Sequence, residues 1–256
     1  MKMTKMMGGV YLLLLCCTLG SATADEIETL YMRANEHYQK SDYNSAITEY
    51  QKILNLGYES WEVYYNLGNC YYKNSDIAHA ILNYERARKL EPKNEDINFN
   101  LELANLSVVD RIPQLPQFLL YAWISALASL ISLQGLGIFA AGFYVLFSVT
   151  LILRMLLRSG RFARMANATT VLVAAGLVVF SGLFLIRVYE NESIIEAIVV
   201  ANKVDVASAP AGAGTELFTL HEGVKLQIQD RSGSWLKIRL ADGKLGWLLD
   251  DAIERI

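Results

Sequence analysis

The sequence predicts a multidomain α plus β membrane protein: an all-α helix-turn-helix array, a two-helix transmembrane hairpin and a small all-β barrel. Three observations carry this. Ala34, Tyr38, Ala46, Ile47 and Tyr50 recur 34 residues later as Gly68, Tyr72, Ala80, Ile81 and Tyr84. Residues 135–153 and 166–186 contain no charged side chain. From about residue 197 the pattern changes to short β-branched runs separated by Glu222-Gly223, Ser232-Gly233 and Asp242-Gly243, which are turn signals at close spacing.

Residues 1–24 read as a secretory signal. Lys2 and Lys5 precede an apolar run centred on 10–15, and Ala22-Thr23-Ala24 supplies the small residues of a cleavage site. The mature chain then starts at Asp25. The alternatives are an uncleaved anchor and a lipoprotein attached at Cys16 or Cys17. Leu15 and Cys16 stand where a lipoprotein site prefers a small residue. Cys70 is the remaining cysteine. Alone it can make neither an intrachain disulfide nor a metal cluster, and it reads as a small core residue.

The array occupies 25–110, with repeats at 27–60 and 61–94 and a capping helix at 95–108. Leu30, Ala34 and Tyr38 stripe the first helix, and Ala46, Ile47, Tyr50 and Ile53 the second. Tyr64, Leu67, Gly68, Tyr71 and Tyr72, then Ile77, Ala80, Ile81, Tyr84 and Ala87, repeat the pattern at helical spacing. Small residues mark close helix crossings and aromatics wide ones, and stacked units need both at fixed offsets. Ser41-Asp42 and Ser75-Asp76 lie at the turns, where short oxygen side chains cap the next helix. Trp61, Leu67, Gly68, Tyr71, Ala80, Tyr84, Ala87 and Pro92 resemble the tetratricopeptide repeat (TPR) pattern. Repeat one departs from it at Arg33, Ile53 and Tyr58.

The resemblance implies a concave groove, lined by the first helix of each repeat, that holds an extended peptide or a partner helix. Its candidates here are Tyr31, Asn35 and Tyr38, then Tyr65, Asn69 and Tyr72, with Phe99 on the last helix. Each asparagine can hydrogen-bond a partner's backbone. The competing reading makes the tyrosines repeat packing and the asparagines solvated. Tyr31 stands where relatives that grip a terminal carboxylate carry lysine, so that role is not implied.

Residues 111–134 read as a linker and interfacial helix, 135–157 and 166–187 as membrane helices, and 158–165 as the loop between them. At about 1.5 Å per residue each helix crosses roughly 30 Å of hydrocarbon. Arg154, Arg158, Arg161 and Arg164 give that loop a cytoplasmic location. Both flanking domains then face the side to which the signal exports the N-terminus. The uncharged run 118–133 follows Pro113 and Pro116 and contains Tyr121 and Trp123, which suits the headgroup level; a third span is the alternative. Gly176 and Gly182 allow close helix contact. Neither span has an interior Asp, Glu, Lys or His, which argues against an ion or proton path.

Residues 190–256 form the β region. Five or six short strands in this length imply a small barrel, with Trp235 and Trp247 to fill or edge it. Val206, Ser208, Pro210, Gly223, Trp235, Asp242-Gly243-Lys244 and Gly246-Trp247 resemble a bacterial SH3-like (SH3b) domain. Some members of that family bind cell-wall peptides or partner proteins.

Net charge is −3, and residues 25–111 and 189–256 each carry more acids than bases, so no basic domain tracks a phosphate backbone. The histidines are His37, His79 and His221, none with a sequence partner for a triad, and no glycine-rich phosphate loop is present. The expectation is a non-enzymatic chain with no cofactor and no metal. Asn100-Leu101-Glu102-Leu103-Ala104, Asp110-Arg111-Ile112 and Leu217 through Gly223, in this domain order, resemble the BatE-like proteins of bacterial aerotolerance (Bat) operons. That resemblance implies a scaffold beside von Willebrand A-type membrane proteins and a MoxR-type ATPase, in stress or oxygen tolerance. The alternative function is a cell-wall sensor whose β domain binds peptidoglycan peptides.

Overall fold

The computed structural model describes residues 24–113, 119–157, 160–193, 195–211 and 214–256. The expected signal segment lies outside these residues, as does Arg158.

Five helices form the array: α1 (24–39), α2 (Tyr43–Asn55), α3 (Trp61–Lys73), α4 (Ile77–Leu90) and α5 (Glu95–Asn105). The caps follow from sequence. Asp42 accepts from the Ser45 amide and Asp76 from the His79 amide, while Ser60 and Asn94 cap α3 and α5. Ser41 and Ser75 take left-handed φ values of 60° and 63° at the equivalent turns. Gly68 is needed because a Cβ there would stand 2.7 Å from the Tyr84 ring, and that ring is fully buried.

Seven strands form a C-terminal antiparallel sheet: β1 (Ile195–Val199), β2 (Lys203–Ala207), β3 (Glu216–His221), β4 (Lys225–Ser232), β5 (Trp235–Arg239), β6 (Leu245–Leu249) and β7 (Ile253–Arg255). The order is β3-β2-β6-β5-β4-β1-β7, open at β3 and β7. Gly223, Gly233 and Gly243 take positive φ at the turns. Val206, Leu220, Leu226, Leu236, Ile238 and Leu248 are buried in its core. In the β5–β6 register Trp235 pairs Leu249 and Lys237 pairs Trp247. Alternation therefore puts both tryptophans on the face opposite Leu236, Ile238 and Leu248, where they are half-exposed. They edge the sheet and do not fill it.

Array and sheet belong to one compact unit, formed by the chain up to Pro113 and from Glu196 onward. Helix α4 shows why. Its buried residues are Ala78, Ala80, Ile81, Leu82, Asn83, Tyr84, Glu85 and Ala87, covering most of its circumference. In α2 only Ala46, Ile47, Tyr50 and Ile53 are buried, on one stripe. Fully buried Ile198 of β1 joins Ala80, Ile81, Leu82, Tyr84, Leu101 and Ala104 in one cluster, with Ile256 against it. In return Val108 and Ile112, beyond α5, pack on the sheet core. Gly223 leaves room for this docking: a Cβ there would lie 2.9 Å from the Val108 side chain and 3.2 Å from that of Ile81.

Residues 114–195 form the second unit. It contains α6 (Leu119–Ser129), α7 (Leu133–Leu156) and α8 (Arg161–Ser193). Two helices, within Leu133–Leu156 and Arg161–Tyr189, are long and apolar enough to cross a membrane. Arg161 and Arg164 lie within the first turns of α8, and Arg154 in the last turn of α7. A Cβ on Gly176 would collide with the Phe143 ring, whereas Gly182 has nothing within 4 Å. Phe180 stacks on Phe139 and Phe143 at 5.2 and 5.1 Å. The close approach belongs to Gly176.

Candidate functional site: the first-helix face of the repeats

Four of the predicted groove residues, Tyr31, Asn35, Tyr65 and Asn69, come together in a repeating polar ladder. The Tyr50 hydroxyl donates to Asn35 Oδ1 at 2.6 Å, and one repeat later Tyr84 donates to Asn69 Oδ1 at 2.7 Å. Burial pushes both phenol pKa values above the ordinary range, so both stay protonated donors. A second rung joins successive first helices. Asn66 Nδ2 donates to the Tyr31 hydroxyl at 2.9 Å, and Asn100 Nδ2 to the Tyr65 hydroxyl at 2.9 Å. Helix α5 therefore stacks on α3 as α3 stacks on α1.

Asn69 Oδ1 accepts from both Tyr84 and Asn100. Its Nδ2, and that of Asn35, have no protein acceptor among the described residues, and both side chains are half-exposed. Each repeat thus holds out an oriented amide donor. Tyr31 and Tyr65 accept from asparagine and retain their own hydroxyl protons. Tyr38 packs edge-on to Tyr43 at 5.5 Å, and Tyr72 lies against the α4 cluster. Phe99 is 67% exposed. The tyrosines pack the repeats, and Asn35 and Asn69 are tied by their oxygens. Asn66 and Asn100 were missed by sequence reasoning, although their own 34-residue separation marks them.

The outer face of α4 was missed too. Glu85, 7% exposed at its side chain, pairs with Arg88 and with Lys225 of β4, which also meets Glu196 at 2.7 Å. Arg86 donates to the Arg255 carbonyl at 2.6 Å and Lys89 to that of Ile256 at 3.3 Å. Asp110 accepts from the His221 amide at 2.6 Å. One signal was present. Leu82 stands where repeat one has exposed Thr48, an apolar residue on a face that would otherwise meet water.

His79 joins the two parts electrostatically. Its Nδ1 lies 2.8 Å from Asp76 and its Nε2 3.5 Å from Glu254 of β7. The bond to Asp76, then that to Glu254, raises its pKa to about 9. The folded value lies above the unfolded one. Stability from this contact is complete below about pH 6.5 and is lost as pH rises through about 9. With His79 31% and Glu254 46% exposed, solvent screening reduces the contribution to about 1–2 kcal/mol. Denaturant titrations of the detergent-solubilised chain at pH 6 and pH 9.5 are expected to differ by that amount, and His79→Gln to remove most of the difference.

Burial pushes the Cys70 thiol up to about 12, which keeps it protonated and inert as a packing residue. Among the described residues no group of three or more His, Cys, Asp or Glu is placed to hold a metal ion.

Residues 61–94 match the tetratricopeptide repeat family, and residues 34–75 match the family described as TPR repeat. Among solved structures the chain is similar to PcrH in complex with the chaperone binding region of PopD. That likeness has a TM-score of 0.32 and 17% identity over 59% of this chain and 93% of that one. It is also similar to the first TPR of Spaghetti (RPAP3) bound to the HSP90 peptide SRMEEVD, with a TM-score of 0.20 and 17% identity over 32% of this chain and 93% of that one. No curated protein matches the chain. The helical array is built of tetratricopeptide repeats.

Proposed function

We propose that the chain is a non-enzymatic, membrane-held adaptor that binds an extended segment of a partner polypeptide along the first-helix face of its repeats. One observation carries this reading: Asn35 and Asn69, tied by their oxygens to Tyr50 and Tyr84, present unpaired amide donors at equivalent positions. An extended chain has free carbonyls to meet them. A helix pairs all but its last four.

The finer reading places α7 and α8 as a hairpin in a bacterial inner membrane, with the arginine-bearing turn cytoplasmic and the array and sheet in the periplasm. The shared hydrophobic cluster supports it. Ile198 and Ile81 pack together, and two halves of one core cannot lie on opposite sides of roughly 30 Å of hydrocarbon. On this reading the chain between them crosses an even number of times, which supports two spans with α6 interfacial. The sheet serves as an SH3-like module. The adaptor works in a complex with von Willebrand A-type membrane proteins, a reading that draws its support from the resemblance of the sequence to BatE-like proteins.

The test is a photo-crosslinking residue at Tyr72, in the full chain in intact native membranes. A mapped crosslink to a partner polypeptide supports the reading. No protein crosslink, with the array folded, removes it.

A further inference from the structure

The first-helix face does not stay polar along its length. Shifting Tyr31, Asn35 and Tyr38 by one repeat gives Tyr65, Asn69 and Tyr72; shifting again gives Phe99, Leu103 and Leu106. The Asn100–Tyr65 bond repeats the Asn66–Tyr31 bond one helix on, so α5 presents the equivalent face. Its opposite side, Ile97, Leu101 and Ala104, is buried in the array. Phe99, Leu103 and Leu106 are 67%, 38% and 63% exposed. They lie at i, i+4 and i+7, one helix stripe. The chain twice supplies a hydroxyl–amide–hydroxyl set at this place and then three large apolar groups in water. An exposed apolar cluster beside a polar one marks a contact surface.

We propose that Phe99, Leu103 and Leu106 form an apolar anchor site for a bulky aliphatic or aromatic side chain of the same extended polypeptide whose carbonyls meet Asn69 and Asn35. This rests on the reading above and names the chemistry of its ligand. Only one occupant satisfies both halves of the face. The amide donors need free acceptors, which excludes a helix over most of its length. A lipid headgroup offers acceptors, but its acyl chains lie beneath it and not in line with it. An extended polypeptide offers carbonyls and, further along, a side chain. Packed helices lie about 8–10 Å apart and an extended chain advances about 3.3 Å per residue, so the anchor side chain falls about three residues from the carbonyl on Asn69.

The experiment places a photo-crosslinker at Tyr72 and, separately, at Leu106 in the full chain in native membranes. Each is repeated with Phe99→Ser plus Leu103→Ser, and with Leu90→Ser, an exposed apolar residue of α4 outside this face. The same partner is expected from both positions, with a large apolar residue at or next to the Leu106 adduct, about three residues from the Tyr72 adduct. The double serine variant is expected to lower the Tyr72 yield roughly tenfold or more, as loss of an aromatic anchor does, and Leu90→Ser to preserve it. A Tyr72 adduct whose yield the serines leave unchanged overturns the anchor and leaves the groove standing. So does a Leu106 adduct to lipid, to a second copy or to a polar segment. No protein adduct at Tyr72 removes the groove and the anchor together.

Discussion

Truncating one strand residue, Ile198→Ala, is expected to loosen the helical array as well as the sheet. Ile198 is fully buried among Ala80, Ile81, Leu82, Tyr84, Leu101 and Ala104, all helical. Removing its branched end leaves a cavity in a cluster that both parts line, at a cost of about 2–5 kcal/mol. Hydrogen exchange on the full chain in detergent reads the effect locally. Amides of α4 and α5 are expected to lose protection together with those of β1. Protection lost in β1 alone would mean that the array holds its core without the sheet. The ion pairs round Glu85 give an independent check. Lys225→Met leaves Glu85 to Arg88 alone, and breaking a buried pair is costly because one charge stays behind.

The second large effect is on binding. Asn35→Asp combined with Asn69→Asp keeps the oxygens that Tyr50 and Tyr84 donate to and replaces each amide donor by a carboxylate oxygen. Each site loses a hydrogen bond and sets an anion against a partner carbonyl. At about 1–2 kcal/mol per site, the pair is expected to weaken partner capture by roughly a hundredfold, with the melting of the array little changed. The alanine pair behaves differently. It strands the buried Tyr50 and Tyr84 hydroxyls, costing about 1–3 kcal/mol each in stability. Aspartate variants that capture the partner at full yield would assign the asparagines to repeat packing alone.

The array was legible in the sequence because a stacked repeat writes its geometry locally. Ala34 and Gly68 sit under Tyr50 and Tyr84, and the offset that reveals one pair reveals the other. The turns of the sheet were legible for a similar reason, since Gly223, Gly233 and Gly243 need positive φ. The docking of sheet on array was not. Ile81 and Ile198 are ordinary core residues of their own elements, far apart in the chain, and no periodicity links them. Lys225 and Glu85 read as surface charges until each is seen opposite the other. Only Leu82, apolar where Thr48 is polar, carried a trace of it. The asparagines were half-legible: their recurrence was plain, but their bonds to Tyr50 and Tyr84 on the neighbouring helix are tertiary contacts that no spacing reveals.

The claim beneath the rest is that the chain before Pro113 and the chain after Glu196 fold as one body on one side of a membrane. Single cysteines at exposed Lys40, in the α1–α2 turn, and at exposed Lys244, in the β5–β6 turn, test it in a background without Cys16, Cys17 and Cys70. A membrane-impermeant maleimide applied to intact cells, with the outer membrane permeabilised where one is present, is expected to label both. Labelling of one position, with the other reached only after the inner membrane is opened, would contradict the account.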